Sequence, residues 1–296
     1  MNKITSDPPM LEELTHLDHR FPVTEFVDHF DTFADGTFPS HWHPEFELHY
    51  VISGAVEYLI NGVTYVVEKG AAMYIAPESI HLARQLTAGT VSYNVVLLPQ
   101  FLITLLTSIQ CEEFTLPLTT RQPEALVIYP LSKEGYKIID RLKIMYSTEN
   151  TQETYKLLML EKLIGIWRFL FSLFPKETVA LPDNKILIRN KRMKEMLDYI
   201  HKNYAQPITI QDIAGAANIS KSECFRCFSE LSQMTPVEYL NDYRLLKASK
   251  LLTTTEKNIA DICYEVGFNS TSYFSKRFRS QYKMSPKDYR MKKRGS

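Results

Sequence analysis

The sequence predicts a multidomain α+β protein, in which an N-terminal β-barrel with flanking helices precedes an all-α domain of two helix-turn-helix units joined by a linking helix. Three observations predict this organisation. The chain has 296 residues, which is more than one hydrophobic core usually serves. Residues 38–98 contain short β-prone runs separated by turn residues, and the pattern becomes helical after Pro99. A motif of about 50 residues occurs twice in the last third.

The composition excludes several classes of protein. Apolar residues make up 45% of the chain and charged residues 23%, which is typical of globular proteins and excludes disordered and fibrous ones. The longest apolar run, 163–174, is interrupted by Arg168 and is too short to span a membrane. The first ten residues lack the apolar core of a signal peptide, so we expect a cytoplasmic protein without a membrane partner. Four cysteines are too few and too unevenly spread for a disulfide framework.

The formal net charge of zero conceals two oppositely charged halves. Residues 1–190 contain 15 basic and 23 acidic residues, a net charge of −8, whereas residues 191–296 contain 19 and 11, a net charge of +8. Such an asymmetry indicates an acidic module joined to a module that binds a polyanion.

The first half begins with strands and continues with helices. Asn61-Gly62 between 58–60 and 63–67 predicts a hairpin with a type I′ turn, and the short, evenly spaced strands fit either a sandwich or a small barrel. Residues 131–146 and 154–174 have the spacing of amphipathic helices, which would cover the barrel or pair with a second subunit. We therefore assign residues 1–178 to a first domain of barrel and helices, 179–190 to a linker and 191–296 to the helical domain.

The repeat in the basic half has the form of helix, tight turn, helix. The first unit covers about 209–231 and the second about 258–281. Asn218 and Gly267 occupy the turns, where a left-handed backbone is required. Ser220 and Glu223 are expected to form a capping box at the second helix of the first unit. A linking helix is predicted from Pro236 to about Leu252, long enough at roughly 25 Å to hold both units near one face of DNA.

The exposed face of each second helix carries residues of the types that bind DNA. Arginine and lysine pair with guanine or phosphate, and serine and threonine donate to either. The candidates are Lys221, Ser222 and Arg226 in the first unit and Thr271, Ser272, Lys276 and Arg277 in the second; Phe225 and Arg279 lie on the same faces.

The helical domain resembles the DNA-binding domain of the AraC/XylS family of bacterial transcription regulators. The matching residues are 259–262, Gly267-Phe268, 273–278 and 285–290, and the first copy departs in having Asn218 at its turn. The resemblance implies a non-enzymatic regulator, an activator in our prediction, that binds double-stranded promoter DNA as a homodimer and contacts RNA polymerase. It also implies an N-terminal cupin-like barrel that binds a small-molecule effector, often a sugar.

Two clusters invite a metal interpretation. Cys224-x-x-Cys227 lies within a predicted helix and has no second ligand pair, so we interpret the two cysteines as core residues. His41, His43 and Glu47 share parity on one expected strand, and His81 follows a later turn. Three imidazoles and a carboxylate suit Zn, Fe, Mn or Ni. The spacing resembles the first cupin motif; the second is less complete, with Ser79 and Gln85 in place of the common glycine and asparagine.

Two interpretations of the histidine cluster remain open. Either the four residues hold a divalent metal, or they line an effector pocket together with Tyr93 or have a purely structural role, and without a metal no cofactor is required. A rival to the regulator is a metal-dependent cupin enzyme, such as a dioxygenase or isomerase, with an accessory DNA-binding domain.

Overall fold

The computed structural model describes residues 21, 23–120, 123–149, 151–175 and 184–294. The chain divides between residues 182 and 183 into two compact units, except that the segment 33–40 groups with the second. The N-terminal stretch searched for a signal peptide and linker residues 179–183 lie outside the described residues. Among the residues that are described, no helix has both the length and the apolar character needed to cross a membrane.

The strands of the structure form two antiparallel sheets. Their strands are β1 Val23–His29, β2 Thr37–His41, β3 Phe46–Ser53, β4 Ala55–Ile60, β5 Val63–Glu68, β6 Ala72–Ile75, β7 His81–Gln85, β8 Val91–Leu97 and β9 Ala125–Ile128. The five-stranded sheet has the order β1-β8-β3-β6-β9, and the four-stranded sheet has the order β2-β7-β4-β5. The predicted hairpin is confirmed: Asn61 and Gly62 have φ values of 47° and 89° and join β4 to β5.

Eleven α-helices occur among the described residues. They are α1 Pro99–Ser108, α2 Leu116–Thr120, α3 Lys133–Ser147, α4 Tyr155–Leu173, α5 Asn184–Asn203, α6 Ile210–Ala216, α7 Lys221–Ser232, α8 Pro236–Thr254, α9 Ile259–Glu265, α10 Thr271–Tyr282 and α11 Pro286–Arg294. The two amphipathic helices predicted after the strands are thus present as α3 and α4. Residues 184–190, which we assigned to the linker, instead form the first turns of α5.

The apolar core of the first unit lies between the five-stranded sheet and the helices α3 and α4. Phe46, Leu48 and Tyr50 alternate along β3 and belong to this core, and the ring of Phe46 lies 5.7 Å from that of Trp167 on α4. Successive residues of a strand point to opposite faces, so Glu47 and His49 lie on the other face of the same sheet. This alternation places buried polar side chains between the two sheets.

The second unit contains the predicted repeat. Asn218 and Gly267 adopt left-handed conformations at the two turns, as expected. Ser220 and Ser270 cap α7 and α10, and both helices end at a left-handed residue, Gln233 or Lys283. The capping-box prediction for Ser220 and Glu223 is only half correct: Ser220 accepts from the Glu223 amide, but the Glu223 carboxylate contacts arginines instead.

Gly267 is required by close packing as well as by its φ of +89°. A Cβ atom at this position would lie 2.6 Å from the carbonyl oxygen of Tyr204 and 2.9 Å from Nε of Arg244. That Nε donates a hydrogen bond to the same carbonyl, at 2.7 Å. An added methyl group would therefore strain the backbone and displace the arginine.

We expect Gly267→Ala to lower the free energy of unfolding of the helical unit by at least about 1–2 kcal/mol, because an L-residue resists the left-handed conformation. Urea unfolding followed by far-UV circular dichroism measures the change. The matched control is Gly215→Ala in α6, where a Cβ atom meets nothing within 4 Å. That substitution should stabilise the helix by up to about 1 kcal/mol, and equal effects of the two changes would contradict the account.

Candidate functional site

The histidine cluster is assembled from three strands and a turn. His41 ends β2, His43 lies in the following turn, Glu47 lies on β3 and His81 begins β7. The expectation that residues 41, 43 and 47 share one strand was wrong, because the chain turns around Pro44 and continues in the other sheet. The turn nevertheless brings the four residues together: one ligand atom from each lies within 4.8 Å of all the others.

Buried contacts fix the orientation of the cluster. Nδ1 of His81 lies 2.8 Å from the carbonyl oxygen of Ser79, so a proton on Nδ1 leaves the lone pair of Nε2 facing the cluster. Nε2 of His43 lies 2.9 Å from Oε1 of Glu47, and its Nδ1 lies 3.3 Å from Oε2 of Glu45. Nε2 of His81 lies 3.5 Å from Oε2 of Glu47, and in the described part of the chain it forms no hydrogen bond.

The electrostatics of the cluster centre on Glu47. Burial by itself raises the pKa of this carboxyl, but the charges of His49 and His43 hold it well below its usual value. Burial disfavours the charged form of His43, yet Glu47 and Glu45 outweigh it and raise the pKa of His43 to about 9. Burial lowers the pKa of His81, although Glu47 acts in the opposite direction. Glu47 is therefore the anion around which the imidazoles are arranged.

Three further buried polar residues, His49, Asn94 and Asp28, lie on the inner faces of the sheets and escaped the sequence reasoning. His49 contacts Oε2 of Glu47, and its ring lies 5.2 Å from that of Tyr58 on β4. Asn94 stands opposite His49 in the register and donates to Asp28 at 2.6 Å. Burial raises the pKa of Asp28 to about 7. The available signal was strand parity, since His49 follows Glu47 by two residues.

Tyr93, which we predicted with the effector site, does not join the cluster. It lies on β8 next to Asn94 in sequence and so faces the opposite side of the sheet. Its ring is fully buried in the core with α3 and α4, 5.5 Å from the ring of Tyr146, and its hydroxyl donates to Glu25. Its role there is packing.

The two cysteines of the C-x-x-C pair are core residues of α7, as interpreted. Both side chains are fully buried. Burial raises the pKa of Cys224 to about 11 and also raises that of Cys227. Neither thiol is therefore poised as a thiolate nucleophile or ligand.

The predicted DNA-binding residues lie on corresponding surfaces of α7 and α10. Lys221, Ser222 and Arg226 are exposed on α7, and Ser272 and Lys276 are exposed on α10, where Thr271 is half-buried. An open groove on α10 is lined by five residues of this surface: Ser272, Ser275, Lys276, Arg279 and Ser280. Each helix thus presents hydroxyl and cationic groups to solvent on one continuous face.

Arg277 differs from the other predicted DNA-binding residues. Its side chain donates to Asp242 of α8 at 3.1 Å and is only one-third exposed. Burial raises the pKa of Asp242 to about 6, although Arg277 opposes the shift. Arg277 therefore forms an ion pair with the linking helix and does not lie on the exposed face of α10.

Comparison with known proteins matches both units to families. Residues 26–127 match the AraC-like ligand binding domain, and residues 213–292 match a helix-turn-helix domain. The HTH-type transcriptional regulator YdeC of Bacillus subtilis (strain 168) is 30% identical over 95% of this chain and 96% of its own.

Two further relatives carry names that refer to sugar operons. The lactose operon transcription activator of Staphylococcus xylosus is 30% identical over 53% of this chain and 54% of its own. The melibiose operon regulatory protein of Escherichia coli (strain K12) is 26% identical over 85% of this chain and 83% of its own.

Proposed function

Because the chain belongs to the AraC family of transcription regulators, we propose that its first unit binds an effector at the histidine cluster and its second unit binds promoter DNA through α7 and α10. The protein is a DNA-binding regulator controlled by an effector. The observation that carries the proposal is the duplicated helix-turn-helix unit, whose two capped second helices expose lysine, arginine and serine. We further propose that it acts in the cytoplasm and activates transcription by contacting RNA polymerase.

The proposed effector is a small polar molecule, and a carbohydrate is the leading class. The two relatives named for lactose and melibiose operons support this class. Buried polar atoms between the sheets support it as well: Nδ1 of His49 and the hydroxyl of Tyr58 form no hydrogen bonds with the residues that the structure describes. Such atoms are costly to bury unless a partner satisfies them, and sugar hydroxyls both donate and accept.

A divalent metal is the second candidate occupant. The three imidazoles and one carboxylate match the donors that Zn, Fe, Mn and Ni prefer. The Ser79 carbonyl orients the ring of His81 so that the lone pair of its Nε2 faces the cluster, which is typical of a histidine ligand. His41, His43, Glu47 and His81 would hold the ion, which would supply a positive charge and open coordination positions for oxygen atoms of an effector.

Thermal-shift measurements on the full chain distinguish the two occupants. A ligand that binds the folded state raises the melting temperature by mass action. Sugars that raise it in the presence of a chelator support direct effector binding, whereas a rise with divalent metals alone supports a metal centre. Neither response would be expected if the cluster were purely structural.

Removing a metal from the same cluster tests the alternative that the protein is an enzyme. We propose that binding of the effector at the cluster changes the affinity of the protein for DNA. This requires that the effector bind two states of the protein with different affinities. A metal whose removal leaves DNA binding and effector response intact would instead favour a metal-dependent enzyme.

We also propose that the protein dimerises through an apolar stripe on α4. Leu157 and Ile164 are 69% and 45% exposed, and Leu160 and Phe171 are half-buried on the same face. Antiparallel pairing about a two-fold axis at Ile164 would set Leu157 opposite Phe171 and Glu161 beside Arg168 of the second copy. The pairing would therefore set apolar residues opposite apolar residues and opposite charges side by side, as a self-complementary two-fold interface requires.

Ile164→Glu should convert the dimer to a monomer, because the charge would lie on the two-fold axis and face its own copy. Light scattering coupled to size exclusion should give twice the 34.4 kDa chain mass for the unmodified protein and that mass for the variant. Leu131→Glu is the matched control, since Leu131 is 91% exposed outside the stripe. A monomeric unmodified protein, or an unchanged variant, would contradict the proposal.

A further inference from the structure

The helices α7 and α10 occupy equivalent positions in the repeat but differ in charge. Their N-caps, Ser220 and Ser270, are 50 residues apart, as are their left-handed C-caps, Gln233 and Lys283. The sequence of α7 contains Lys221 and Arg226 together with two glutamates, so its formal charge is zero. The sequence of α10 contains three cations and no acidic residue. Most of the attraction to phosphate is therefore expected on α10.

The glutamates of α7 hold nearby arginines in place. Oε1 of Glu223 accepts from Arg226 at 2.8 Å and from Arg192 of α5 at 3.3 Å. Glu230 accepts from Arg189 at 2.6 Å. The side chain of Arg226 remains 63% exposed. This arrangement orients Arg226 and partly neutralises it, which suits contact at a defined position better than general attraction to phosphate.

An exposed phenylalanine lies at the centre of the reading face of α7. Phe225 is 41% exposed, and its neighbours on this face are Lys221, Ser222, Arg226 and Ser229. The equivalent residue of α10 is Ser275, which lines the polar groove. An aromatic ring in water gains free energy when it is buried against an apolar group. In the major groove, the C5-methyl group of thymine is such a group, and phenylalanine is among the side chains that contact it.

We propose that Phe225 is a specificity-determining residue, which packs against the C5-methyl group of a thymine when α7 enters the major groove. In this arrangement α7 contributes sequence readout through Phe225 and the oriented Arg226, and α10 contributes most of the phosphate attraction. The inference rests on the proposed DNA-binding function and assigns a base contact to one side chain.

The test uses duplexes selected by the full chain from a random-sequence library. Each thymine of the selected site is replaced in turn by deoxyuridine, which lacks only the C5-methyl group. We expect replacement at one position per half-site to weaken binding about fourfold, the effect of removing one buried carbon from an apolar contact. Phe225→Ala should weaken binding to the thymine duplex at least as much and become insensitive to the uracil replacement.

Two controls distinguish loss of base recognition from misfolding of the variant and from loss of DNA binding in general. Phe225→Ala should lose much less affinity for random duplex DNA than for the selected thymine duplex, because the residue contributes no charge. Ser275→Ala, at the equivalent position of α10, should keep the sensitivity to uracil. A uracil effect that persists in Phe225→Ala, or that is absent at every position, would overturn the inference. Failure to select any sequence would contradict the DNA-binding function as well.

Discussion

Replacing Lys276 and Arg279 together by alanine should weaken binding of the full chain to duplex DNA by about 10- to 100-fold. Both residues lie on the exposed face of α10 and line its groove. Each phosphate contact releases counterions, so the slope of log K against log salt should also fall by about two. Fluorescence anisotropy over a series of salt concentrations measures both quantities.

The control for this prediction removes the same charge elsewhere. Lys69 and Lys133 are exposed residues of the first unit, and replacing both by alanine should leave the salt slope nearly unchanged. If the two double variants lost affinity equally, the effect would arise from net charge and the assignment of α10 to the DNA interface would be wrong.

If the cluster holds a divalent metal, as the second proposal has it, replacing His81 by alanine should abolish retention of that metal. His81 supplies one of four convergent ligand atoms, and its Nε2 has no hydrogen-bond partner among the described residues. Loss of a direct ligand should weaken metal binding by more than the roughly 10- to 100-fold typical of residues that only orient a ligand. His49→Ala, which removes the contact to Glu47, should fall within that smaller range.

Elemental analysis and zinc titration of the full chain provide the measurement. His29→Ala is the control, because His29 is an exposed histidine at the end of β1. Zinc binding that survives in His81→Ala would contradict the assignment. If the unmodified chain binds no metal but a sugar raises its melting temperature, the cluster is an effector site without a metal.

The helical unit was largely predictable from the sequence because its signals are local. Asn218, Gly267 and the helix cap Ser220 specify their conformations through nearby backbone atoms, and the structure reproduces them. Glu223 was the exception. Its carboxylate contacts Arg192 on a helix 31 residues away in sequence, and a local capping rule does not include such a competing partner.

The residues of the histidine cluster were predictable from the sequence, but the strands that supply them were not. The residue types were correctly grouped because His41, His43 and Glu47 are close in sequence. The strand assumed to present them does not exist, since the chain changes sheets between His41 and Phe46. The prediction that Tyr93 lines the effector site was wrong for a related reason. Alternation along a strand separates the two faces of a sheet, but it does not show which face is apolar. That face becomes known only once the helices that cover it are known.

These arrangements suggest how the two units would act together. An effector that binds one conformational state more tightly increases the population of that state, and the DNA affinity changes only if the two states bind DNA differently. The coupling is reciprocal, so DNA must change effector affinity by the same factor.

The most direct test of the central claim compares the full chain on its selected duplex and on a scrambled duplex of equal composition, between about 50 and 200 mM salt. A DNA-reading regulator should bind the selected duplex at least about a thousandfold more tightly, and binding to both duplexes should weaken steeply as salt rises. Equal affinities for the two duplexes, with binding that stays flat across this range, would contradict the claim.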